Sequence, residues 1–156
     1  MSRVALFACG LLLAACGAAS PARDAGQAPP ATAQAQTLPA DIQRALQTDE
    51  RVLDCPQGQV DGHSAFAADW VRPRRVDLDD DGRADWLLEG VHPCLRRDGA
   101  ADWWIYAETA GGRRLLGRVR GARALDVLPA RSRGHAELRV EDTEGERILR
   151  YRDGGY

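Results

Sequence analysis

The sequence predicts a mainly β (α+β) domain, an antiparallel β-meander preceded by one short helix. Three observations carry this reading. Trp103-Trp104-Ile105-Tyr106-Ala107-Glu108 is dense in strand formers, and Ala110-Gly111-Gly112 turns it into residues 115–119 as a hairpin. Farther on, Ala136, Leu138 and Val140 alternate with His135, Glu137, Arg139 and Glu141, the period of two that a half-buried strand follows. A helical period shows at residues 39–47, where Ile42, Ala45 and Leu46 fall on one face.

Taken in order, the helix opens with Pro39 near its start and Asp41 in its first turn, where a carboxylate meets the positive end of the helix dipole. Val71, Val76 and the run Trp86-Leu87-Leu88 predict strands on either side of an acidic loop. In the 103–108 strand, alternation sends Trp104 and Tyr106 to one face and Trp103 and Ile105 to the other. Core is the expected place for all four. Thr143-Glu144-Gly145-Glu146 then turns the 135–141 strand into a return strand over 148–152, and the closing stretch to Tyr156 reads as packing.

The chain has 156 residues, with 21 basic side chains, all of them arginine, against 23 acidic ones, for a net charge of -2. That length suits one ordinary domain, and the near-neutral balance argues against a nucleic-acid partner. His63, His92 and His135 are scattered and read as surface or hydrogen-bonded side chains.

Residues 1–15 read as a secretory signal: Arg3 gives a positive start, and residues 4–13 form an apolar run too short to span a bilayer. The run ends in Leu13-Ala14-Ala15-Cys16-Gly17, which resembles the lipobox of bacterial lipoproteins. The resemblance implies cleavage before Cys16 and acylation of that cysteine, hence a lipid-anchored protein held in the membrane. Gly17 in second place implies the outer membrane, on its periplasmic side. Residues 16–38 are almost entirely Ala, Pro, Gln, Gly, Ser and Thr, a composition unable to bury a core, and are expected to form a disordered tether. The β-rich domain is expected over 39–156. Cys55 and Cys94 remain after processing and are expected to pair as a structural disulfide in an oxidising compartment.

One chemical signal stands out. Asp77-Leu78-Asp79-Asp80-Asp81-Gly82-Arg83-Ala84-Asp85 puts five carboxylates within nine residues. Asp77, Asp79, Asp81 and Asp85 occupy positions 1, 3, 5 and 9 of a loop that wraps a hard cation, Gly82 falls where such a loop turns sharply, and the Arg83 carbonyl is a further oxygen. Oxygen donors in a flexible loop favour Ca²⁺, and the absence of His and Cys from the loop argues against a transition metal. The alternative is a solvated acidic turn neutralised by Arg72, Arg74, Arg75 and Arg83. An EF-hand does not fit, because position 12 is Leu88 and the flank continues as a strand.

The segment 76–87 resembles the calcium loop of FG-GAP or VCBS-type repeats, in which a D-x-D-x-D-G-x-x-D turn joins two strands of a propeller blade. The resemblance implies a propeller-blade-like turn over 77–85 with Asp77, Asp79, Asp81, Asp85 and the Arg83 carbonyl as ligands, and Asp80 facing water. A whole propeller needs several four-stranded blades, more than this chain holds.

The reading reached is a non-enzymatic, membrane-anchored periplasmic lipoprotein with a structural calcium site, serving as a binding module for a protein or the cell wall. The alternative is an immunity or inhibitor lipoprotein directed against a peptidoglycan hydrolase, with residues 92–102 as a protruding loop. A hydrolase working through the acidic cluster and His63 ranks third, since metal-bound carboxylates are not free to act as acid and base.

Overall fold

The computed structural model describes residues 37–156 except Gln57. The signal segment, Cys16 and the tether up to residue 36 lie outside the described residues. The chain forms helices α1 (Ala40–Gln47) and α2 (Glu50–Leu53), then a two-residue hairpin of β1 (Gln59–Val60) and β2 (His63–Ser64). Next come β3 (Val71–Val76), β4 (Asp85–Gly90), β5 (Arg96–Arg97), β6 (Ala100–Thr109) and β7 (Gly112–Ala122). The last three strands are β8 (Ala124–Ser132), β9 (His135–Glu141) and β10 (Glu146–Leu149). Every strand pairing is antiparallel, and the architecture is the mainly β one expected.

Strands β3, β4, β6 and β7 make one blade-like meander, with β5 extending the β4 side of β6. At Arg123 the chain bends and passes into a second sheet of order β10-β9-β8. The first sheet is therefore covered on both faces, which is why β4 and β6 read as nearly continuous apolar runs. Cross-strand pairs Trp86–Tyr106 and Leu88–Trp104 face α1 and α2, packing with Ile42, Leu46 and Val52. Their neighbours Leu87, Trp103 and Ile105 face the second sheet and pack with Leu125, Leu138 and Val140. The expectation that all four of Trp103, Trp104, Ile105 and Tyr106 are core is met: each is buried.

Helix α1 starts after Pro39, whose fixed φ suits a helix entrance. Ile42 and Leu46 are buried, whereas Ala45 lies at the exposed margin of the apolar face. The ordered body also takes in Leu38, one residue before the boundary read from composition. Leu38 is buried, and its carbonyl accepts a bond from the Gln43 side chain at 2.6 Å. No helix among the described residues is long and apolar enough to cross a membrane.

The disulfide joins Cys55, at the end of α2, to Cys94, between β4 and β5, with Cα atoms 5.6 Å apart. It ties the helical layer to the first sheet. The residues 92–102 do not protrude freely. Cys94 is held by the disulfide, Leu95 is buried, and β5 pairs with β6, leaving Asp98 and Gly99 as an exposed hairpin tip with positive φ.

Candidate functional site

The acidic loop connects β3 to β4, two strands in register from Val76–Asp85 to Val71–Gly90. Its fixed point is Leu78, fully buried among Leu87, Ile105 and Leu138. The Leu78 carbonyl accepts bonds from the Ala136 N–H at 2.7 Å and from Arg131 at 2.9 Å, so the loop is pinned to the second sheet from inside. One apolar side chain in an otherwise acidic segment thus holds the carboxylates in place. Gly82 has φ +81, the sharp turn expected at that position, and its N–H donates to Asp77 Oδ2 at 2.9 Å.

Carboxylate oxygens of Asp77, Asp79 and Asp85 converge to within 4.8 Å of one another. Asp85 is buried; its Oδ2 accepts from the Leu78 N–H at 2.9 Å and its Oδ1 from the Glu108 N–H at 2.8 Å. Burial pushes the Asp85 carboxyl above the usual carboxylate range, the charges of Asp79 and Asp81 push it further, and the two N–H donors oppose them. For Asp77, burial also acts upward, but the N–H groups of Gly82, Asp80, Asp79 and Asp81 outweigh it and hold the carboxyl below its ordinary value. The other oxygen of Asp77, Oδ1, is shielded from solvent and has no hydrogen-bond partner. A carboxylate lone pair left unmatched in a dry position is costly unless something positive meets it.

One carboxylate of the predicted ligand set, that of Asp81, stands apart from that convergence. Asp81 is exposed and turned onto Arg83, accepting from its N–H at 2.8 Å and from its guanidinium. Arg83 itself is exposed at the loop tip. Asp80 is exposed as expected, yet it is not left to water alone, because Arg131 bonds to it.

The arginines flanking the loop do not neutralise its centre. Arg72 pairs with Glu89, and Arg74 donates to the Leu125 carbonyl. Arg75 lies over the Trp86 ring at 4.0 Å and donates to the carbonyls of Ala84 and Asp85. Among the described residues no arginine bonds to the carboxylates of Asp77, Asp79 or Asp85. The ring of His135, stacked on Tyr151 at 3.6 Å, brings its Nε2 to 3.9 Å from Asp79 Oδ2. That approach was hidden in the sequence, where His135 lies 56 residues from Asp79 and only the β8–β9 pairing brings it back. His63 sits on β2 in the small hairpin after the helices, outside the group of converging acids.

The donor set fits a hard divalent cation. It consists of carboxylate oxygens only, one of them shielded and unmatched, on a loop whose Gly82 turn and Leu78 anchor fix its course. A second candidate group, Cys55, His92 and Cys94, is occupied with sulfur chemistry instead, since its two cysteines form the disulfide. His92 there stacks on Trp70 at 3.9 Å and sets its Nδ1 2.9 Å from Cys94 Sγ. No protein-family model, curated protein or solved structure matches the chain.

Proposed function

We propose that the protein is a non-enzymatic lipoprotein, anchored through Cys16 to the periplasmic face of the outer membrane, whose β-domain is stapled by Ca²⁺ and binds a protein or the cell wall. The observation that carries the calcium part is the shielded, unpartnered Oδ1 of Asp77, within a group of three carboxylates to which no arginine bonds among the described residues. Asp77, Asp79 and Asp85 would hold the ion, with Asp81 and the Arg83 carbonyl as the remaining oxygens of the sequence pattern. The ion would supply positive charge to the junction of β3 and β4, and binding to the folded state alone adds to stability by mass action. Isothermal titration of chelated protein with Ca²⁺ tests this: one site per chain is expected, and no heat of binding up to millimolar Ca²⁺ would remove the ion from the account.

The immunity reading has one observation in its favour. The segment 92–102 is held by the disulfide and by the β5–β6 pairing, with an exposed tip at Asp98-Gly99, and a preorganised turn loses little entropy on entering a cleft. A turbidity assay of wall lysis separates the readings. Protection by a molar excess of protein favours an inhibitor; undiminished lysis removes it.

A further inference from the structure

A cleft of about 670 Å³ lies between the β5–β6 end of the first sheet and the β9–β10 turn of the second, formed by residues none of which belong to the acidic loop. Its volume falls in the range of small-molecule sites. Its lining is dense in charge of both signs, and most of that charge is already committed. Arg51 is locked by Asp102, which accepts from its Nε at 3.1 Å and from a terminal nitrogen at 2.7 Å. Asp102 is buried, and its second oxygen accepts from the Gly121 N–H at 3.2 Å, so this acid serves to fix a guanidinium at the cleft wall. Arg147 is held by Asp142 at 3.1 Å, and Asp142 in turn accepts from the Glu144 N–H at 2.9 Å. Arg120 reaches Glu50 at 2.9 Å with both side chains more than half exposed, a pair that water or a ligand displaces at little cost.

Two lining charges are left over. Arg97, on β5, has no carboxylate partner among the described residues, and neither does the Glu144 carboxylate, at the β9–β10 turn, have a cationic one. The cleft therefore offers one free cation and one free anion on different sheets. A polyanion entering it meets Asp142 and Glu144, and a polycation meets four arginines. Both groups are exposed, so water solvates each in the empty cleft, and a ligand carrying both signs is the one that pairs with the two together.

We propose that this cleft binds a zwitterionic ligand, an amino acid or short peptide with a free carboxylate and a free ammonium group. The carboxylate docks on Arg97 and the ammonium on Glu144. The proposal deepens the binding-module reading and rests on it only for the source of the ligand, since the peptide part of a cell wall carries both kinds of group.

The test titrates the full-length protein in detergent with tri-alanine, N-acetyl-tri-alanine and tri-alanine amide, with calcium present and again after chelation. Tri-alanine is expected to bind at least tenfold more tightly than either blocked form. Arg97→Gln is expected to abolish the preference over the amide, and Glu144→Gln the preference over the acetylated form. Both side chains are solvent-facing, and circular dichroism checks that each variant folds. Equal binding of all three peptides, no binding up to millimolar concentration, or preferences unchanged in both variants each overturns the proposal. Running both calcium states keeps a failed metal reading from being mistaken for a failed cleft. Tri-alanine binding without retention on purified cell-wall sacculi would support the cleft while removing the wall as its ligand source.

Discussion

The indole Nε1 of Trp104 donates to the Asp49 carboxylate at 3.0 Å, across 55 residues of sequence. The same oxygen accepts from Arg118 Nε at 2.8 Å, while the other caps α2 through the Arg51 N–H at 3.0 Å. One buried acid thus joins the helical layer to β6 and β7. Asp49→Ala removes a helix cap, worth about 1 kcal/mol, and leaves a buried indole N–H unpaired, costing about 1–3 kcal/mol. A loss of roughly 2–4 kcal/mol is expected in urea unfolding with the m-value unchanged. A change under about 0.5 kcal/mol, the scatter of ordinary surface substitutions, would mean the triad is not a stabilising element.

The calcium reading predicts an order among variants. Asp77→Ala removes the shielded oxygen and the acceptor of the Gly82 N–H, and Asp79→Ala removes a second converging carboxylate. Each is expected to weaken Ca²⁺ binding by at least tenfold. Asp81 lies on Arg83, so Asp81→Ala is expected to weaken it less. Titration of the three variants checks the order, and a variant at Asp81 that is the most damaging of the three would assign the ion a different set of oxygens.

Much of this fold was legible because its signals are local. The hairpin of β6 and β7 and the alternation in β9 depend on strand formers and a nearby turn, and both stand where the sequence put them. Strand β8 was not visible, because Pro129 interrupts its pattern. It survives as an edge strand with a register break between Val127 and Arg131, where a missing N–H is tolerated. Helix α2 is only four residues long, too short to show a period. At the site, the spacing of the aspartates was readable, but the turning of Asp81 onto Arg83 and the approach of His135 were not. The first is a local pairing of Asp81 with the N–H and guanidinium of Arg83, and the second comes from sheet pairing, which spacing along the chain does not encode.

The disulfide is expected to be structural. It closes a loop with a sequence separation of 39, for which chain entropy gives about 4 kcal/mol, less any strain. Cys55→Ala with Cys94→Ala should lower the urea midpoint accordingly and leave Ca²⁺ binding in place, since neither cysteine lies in the acidic loop. Two free thiols by alkylation and intact-mass analysis of periplasmic material would contradict the pairing.

The Asp41–Arg113 contact makes stability depend on acid. Burial pushes the Asp41 carboxyl up, but the Ile42 N–H and the Arg113 guanidinium, bonded at 3.2 Å, outweigh it and hold the folded pKa below the ordinary value. A lowered folded pKa contributes stability that is fully present above the unfolded value of about 3.9 and lost as pH falls through the folded one. The pair is solvent-facing, so the contribution is about 0.2–1 kcal/mol. Asp41→Asn keeps an acceptor for the Ile42 N–H and removes the charge. The stability gap between wild type and Asp41→Asn should be constant above pH 5, roughly one unit over the unfolded value, and close below it. A gap that widens on acidification reverses the sign of the argument.

The proposed lipid anchor is testable apart from the β-domain. One acyl chain holds a protein to a bilayer only marginally, whereas two or more hold it stably, so acylation of Cys16 should decide where the whole chain fractionates. Labelled palmitate is expected in the wild-type protein and absent from Cys16→Ser, and the variant should leave the membrane fraction. No helix among the described residues is long and apolar enough to cross a membrane, so a spanning helix there would not mask the effect of the substitution. If Cys16→Ser stays with the outer membrane and unlabelled, the attachment runs through the β-domain and its partner instead, and a wash at high salt then tells a charged contact from an apolar one.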